Sequence, residues 1–134
     1  MRVVLDTNVL VSGLLSPFGP PAEIVRLVAV GKLKLCYDAR ILAEYREVLA
    51  RPRFGFDSGK VDDLLEQISS EGELVTATPL SRHLPDPDDE PFLEVACGTA
   101  AECLVTGNLK HFPVRRRQGM TVLSPREFVD HYQP

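Results

Sequence analysis

Short apolar runs alternate with amphipathic stretches along this chain, and that alternation confines it to few architectures. Val3-Val4-Leu5, Leu33 to Tyr37, Leu74 to Ala77, Cys103-Leu104-Val105 and Thr121-Val122-Leu123 are too short for helices and read as buried strands. Between them lie helical patterns. Val9 to Leu15 begins a short helix, and Ser16 to Pro21 forms a loop because its prolines and glycine cannot continue one. A helix then runs from Ala22 on Ile24, Leu27 and Val28, with Gly31 as its C′ residue. Asp38 caps a helix reaching about Ala50, and Val61, Leu64, Leu65 and Ile68 mark another from about Gly59 to Ser70. Pro91 fits only a first turn, so the helix carrying Phe92, Val95 and Ala96 starts near Asp88 or Asp89. Ser124-Pro125-Arg126-Glu127 is a capping box that opens the last helix. Strands separated by helices make an α/β fold with a parallel sheet, and right-handed crossovers limit its topology.

Composition narrows function more than fold. With 134 residues, no repeat and no internal boundary, the chain reads as one domain over 1–134. The net charge of −4 argues against a protein held to nucleic acid mainly by a basic surface, yet leaves room for an acidic centre that binds a metal. Cys36, Cys97 and Cys103 lie in apolar surroundings without C-x-x-C pairing, which predicts buried free thiols in a reducing compartment. No leader or long apolar segment stands at the N-terminus, so a cytoplasmic location without membrane contact is expected.

The polar residues fall where open α/β sheets hold ligands, at the carboxyl ends of strands. Asp6 and Asn8 follow the first strand, and Asn108 follows the fourth. Asp86, Asp88, Asp89 and Glu90 precede or open the helix after the third. Glu44 sits about one turn into the helix after the second strand, at the margin of an apolar stripe made by Ile41, Leu42, Tyr45, Val48 and Leu49. Acids gathered at one edge repel unless a cation is present, and oxygen-only ligands favour Mg²⁺ or Mn²⁺ over zinc. Taken singly, each residue has an ordinary reading. Asp6 suits a turn or cap, Glu44 a solvated helix face, Asp88 and Asp89 a first helical turn, and Asn108 a turn. His83, His111 and His131 lack ligand spacing and read as surface residues, and Arg115 to Arg117 as a solvated loop with a lesser option of phosphate contact.

Asp6-Thr7-Asn8-Val9-Leu10, Glu44 in its helix, Asp89 with Phe92 and Ala96 behind it, and Val105-Thr106-Gly107-Asn108 together resemble the PIN-domain family, which contains VapC-like toxin ribonucleases. The likeness spans nearly the whole chain. It implies a three-layer α/β/α sandwich with about five parallel strands in the order 3-2-1-4-5. It also implies a divalent-metal-dependent endoribonuclease acting on single-stranded RNA and leaving 5′-phosphate and 3′-hydroxyl ends. Carried over by position, Asp6, Glu44 and Asp89 would be the catalytic residues and the ligands of one or two Mg²⁺ or Mn²⁺ ions. Asn8 and Asn108 would orient substrate or water. The family's fourth acid usually falls in the turn after strand four, where this chain has Asn108, with His111 at the other position where some members carry Asp. The resemblance further implies the toxin of a type II toxin–antitoxin pair, a homodimer silenced by a small antitoxin protein.

Other classes stay open on the residues alone. A PIN-like RNA-binding scaffold with weakened catalysis would fit Asn108. A phosphatase using Asp6 as nucleophile would want a second aspartate two residues on, where Asn8 stands. A receiver-type signalling domain would want a lysine ending strand five, and none is there.

Overall fold

The computed structural model describes residues 1–132. Its five-stranded sheet comprises β1 (Arg2–Leu5), β2 (Lys34–Tyr37), β3 (Glu73–Leu74), β4 (Cys103–Val105) and β5 (Val122–Leu123). All pairings are parallel, in the order β3-β2-β1-β4-β5, as the resemblance implied. The helices are α1 (Thr7–Leu15), α2 (Pro20–Ala29), α3 (Ala39–Leu49), α4 (Ser58–Glu71), α5 (Glu90–Gly98) and α6 (Pro125–His131). Val3, Val4 and Leu5 are all fully buried. Because successive strand side chains face opposite sides, both faces of the sheet must be covered. Among the described residues no helix is long and apolar enough to cross a membrane.

This order places β1 at the centre, with β2 on one side and β4 on the other. The chain leaves β1 in one direction and returns to pair with its other edge, so the crevice beyond the carboxyl ends of β1 and β4 is a topological switch point. Asp6 and Thr106 are the residues immediately after those two strands, and Asp6 N–H donates to Val105 O at 2.9 Å.

Several local expectations are corrected. The β3 pairing covers only Glu73 and Leu74, extended by one hydrogen bond from Val75 N–H to Tyr37 O at 2.8 Å. Beyond it β2 has already turned into Asp38, the cap of α3, so Thr76 and Ala77 find no strand partner. Helix α2 starts at Pro20 rather than Ala22, since two prolines occupy its first turn, where a missing N–H costs nothing. Its far end closes as a Schellman motif. Gly31 adopts φ 79°, Gly31 N–H reaches Val28 O at 3.1 Å and Lys32 N–H reaches Leu27 O at 2.9 Å. Cys36 and Cys103 are buried free thiols as expected, whereas Cys97 is exposed, on the outward side of the last turn of α5. Before α5 a 3₁₀ turn, Pro87–Asp89, takes up the acidic segment. Asp86 caps it by accepting the Asp88 N–H at 2.9 Å.

Candidate metal centre

Asp6 stands at the N-cap position of α1, but its carboxylate makes no capping bond there. It turns instead toward β4. Oδ2 accepts the hydroxyl of Thr106 at 2.9 Å and, more weakly, the Asn8 side-chain amide at 3.3 Å. Thr106 is fully buried and its oxygen also accepts Asn108 N–H at 3.0 Å. Asn8 in turn accepts Gly107 N–H on Oδ1 at 2.9 Å. The two strand ends are thus stitched together by side chains of both, and the cap reading of Asp6 is set aside. Asn108 belongs to this stitch through its backbone.

Glu44 is brought to the same edge by its neighbour. Tyr45 is wholly buried, and its hydroxyl donates to Leu5 O, the last carbonyl of β1, at 2.6 Å. That bond pins α3 over the strand end and leaves Glu44 half-buried beside it, as the margin position on the helix requires. The Thr7 hydroxyl donates to Glu44 Oε2. Thr7 and Thr106 are therefore supports that the residue pattern did not single out, because each is recognisable only by what it touches across the fold.

Asp89 is buried at the end of the 3₁₀ turn. Its Oδ2 is, among the described residues, the one buried side-chain oxygen or nitrogen with no hydrogen-bond partner. His111 Nδ1 lies 2.9 Å from it, close enough for a charge contact but without hydrogen-bond alignment. His111 is half-buried, which corrects its reading as a surface residue without a site. His83, by contrast, is largely exposed and sits 3.2 Å from Glu90 Oε2, and His131 ends α6 on the surface. Within the described residues, ligand atoms of Asp86, Asp89 and His111 lie within 4.8 Å of one another. Asp6, Glu44 and Asp89 do not form such a close trio.

Their carboxyls nevertheless feel one another. Burial pushes the Asp6 carboxyl up, partly offset by the Thr106 hydroxyl. Glu44 is raised by burial, with the Asp6 charge adding to it. Asp89 is pushed up to about 6, first by burial and then by Asp6, with His111 opposing. Acids that are buried and mutually repelling disfavour their charged forms, and a bound cation reverses that preference. An unpartnered buried oxygen set among half-buried and buried carboxylates fits a divalent cation in donor chemistry and in charge.

Comparison with known proteins bears on what such an edge is for. A PIN-domain family model matches residues 2–110, most of the chain. The chain is a PIN-domain protein. PIN domains are generally metal-dependent nucleases, and this PIN domain carries an acidic cluster suited to a metal at the switch point of its sheet. It is also 24% identical, over 99% of its own length and 92% of the other's, to the uncharacterized protein MJ1680 of Methanocaldococcus jannaschii.

Proposed function

We propose that this PIN domain is a Mg²⁺- or Mn²⁺-dependent endoribonuclease of single-stranded RNA, with Asp6, Glu44 and Asp89 as its catalytic, metal-holding acids. The observation that carries the proposal is the set of three desolvated carboxyls around one strand-end crevice, one of them with a buried unpartnered oxygen. A divalent cation bound by these acids would supply Lewis acidity, lowering the pKa of a water and offsetting charge on the phosphate. The protein's own residues do the holding and the aiming. Thr106 fixes the Asp6 carboxylate, Thr7 fixes Glu44, and Asn8 ties the turn after β4 to the turn after β1. Asn8 and Asn108 orient the scissile phosphate or the attacking water.

The substrate's backbone has a basic approach. Lys110 sits immediately before His111, Arg115 and Arg116 follow a few residues later, all three exposed, and Arg82 lies on the facing loop. Arg116 Nη1 donates to His83 O at 2.7 Å, joining the two loops. In a chain of net charge −4 this local excess of cations suits phosphate. The type II toxin role, the homodimer and the small antitoxin partner complete the reading by resemblance. Co-purification with the product of the gene immediately upstream, followed by loss of cleavage in the complex, tests them.

For the nuclease itself, Asp6→Asn and Asp89→Asn should each abolish metal-dependent cleavage of unstructured RNA, and excess chelator should do the same to the wild type. Products should carry 5′-phosphates, read by their ligation or exonuclease sensitivity. Cleavage retained by either variant or in chelator would overturn the mechanism. A wild type that binds RNA and metal but cuts nothing would favour the scaffold alternative, to which Asn108 in place of an acid points.

A further inference from the structure

We propose that Asp86 and His111 Nδ1 join Asp89 in holding the cation at this edge, which makes the donor set a mixed oxygen and nitrogen one, and that the protein therefore prefers Mn²⁺, Co²⁺ or Zn²⁺ to Mg²⁺. The proposal rests on the metal-dependent reading above, and adds two residues that the PIN resemblance did not carry over as ligands.

The geometry points to it in three ways. Ligand atoms of the three residues fall within 4.8 Å of one another, the only such group of His, Cys, Asp and Glu among the described residues. Two ligands at right angles around one ion, each about 2.1 Å from it, stand roughly 3 Å apart. His111 Nδ1 and Asp89 Oδ2 stand 2.9 Å apart. Finally, that Oδ2 is itself buried, in a residue only 9% exposed, and has no hydrogen-bond partner. A buried acceptor left unsatisfied is costly, and a cation between it and the imidazole satisfies both. Asp86 spends Oδ1 on the Asp88 N–H and keeps its second oxygen for the ion. An imidazole ligand shifts preference from Mg²⁺, which favours oxygen and water, toward transition ions.

The decisive measurement is metal binding by the full chain without RNA. Calorimetry with Mg²⁺ and Co²⁺ should show wild type binding Co²⁺ at least tenfold more tightly. Pulsed electron paramagnetic resonance of the Mn²⁺ form should show coupling to a ¹⁴N nucleus. His111→Asn should weaken Co²⁺ about tenfold or more and remove the nitrogen coupling, while changing Mg²⁺ affinity less than about threefold. Asp86→Asn, which keeps the cap oxygen and removes the charge, should weaken both ions, with circular dichroism confirming the fold. Unchanged Co²⁺ affinity in His111→Asn, or Mn²⁺ without nitrogen coupling, would overturn the assignment. Those results together with loss of RNA cleavage in Asp6→Asn would leave the nuclease reading standing. Nitrogen coupling in a protein that cleaves no RNA would do the opposite.

Discussion

Thr106 has one hydroxyl and uses it twice, donating to Asp6 and accepting from Asn108 N–H, with no exposure to solvent. Thr106→Val keeps the shape and deletes both bonds. Leaving a buried carboxylate short of a donor should cost about 1–3 kcal/mol of folding stability, read by urea denaturation of the metal-free protein. The same change should weaken metal binding about 10–100-fold, as loss of a ligand's orienting partner does. Asp89 gives a second prediction at this scale. Its folded-state value of about 6 lies above the ordinary 3.8, so the folded chain holds this proton more tightly than the unfolded one. The stability it contributes to the metal-free protein is full below about pH 3.8 and is lost as pH rises through about 6. Asp89→Asn should flatten that part of a stability-versus-pH curve. An unchanged slope would count against the desolvated carboxyl. Asp6, Asn8, Asp89 and Asn108 were legible as site candidates because each is punctuation at the end of an apolar run or the start of a helix. Thr106 was not, and His111 was marked only by resemblance, at a position where some members carry Asp, because a threonine after a strand and a lone histidine carry no pattern until their partners arrive from elsewhere in the chain.

At the scale of elements, two packings decide whether the edge exists. Gly13 lets α1 and α2 approach closely, since a Cβ there would stand 2.6 Å from Pro21 O and 2.5 Å from Val25 Cγ2. Gly13→Ala should therefore lower stability by about 1–3 kcal/mol, despite alanine's better helix propensity. A rise in the denaturation midpoint would show that the two helices have room to part. Tyr45 is the other packing. Tyr45→Phe removes its bond to Leu5 O and should cost about 1 kcal/mol, together with a measurable loss of metal affinity as α3 loosens and carries Glu44 with it. Helix bodies and caps were well marked in the sequence because periodicity and capping chemistry are local. The length of β3 was not, because a strand ends where its neighbour stops, and β2 stops at the cap of α3. The same limit applies to Cys97, whose neighbours Ala96 and Gly98 gave no sign of which way the last turn of α5 faces.

Taken whole, the molecule keeps its thiols out of reach with one exception. Cys36 and Cys103 are buried, and burial pushes both thiols up to about 12, while Cys97 lies on the surface. Brief alkylation of the native protein should add a single label, on Cys97, by peptide mass spectrometry, and denaturation should release the other two. The parallel sheet was legible because alternation of strands and helices leaves few alternatives. Its strand order came only by resemblance, and no local pattern could replace it. That order has a temporal consequence. β4 pairs with β1, and Thr106 meets Asp6, across a separation of 100 residues. A nascent chain released only through α5 already contains Asp6, Glu44 and Asp89, yet one side of β1 is still bare and Asp6 has no Thr106 to hold it. The acids are synthesised early and the centre is assembled late. An edge built on this topology comes into being only once β4 has left the ribosome and found β1.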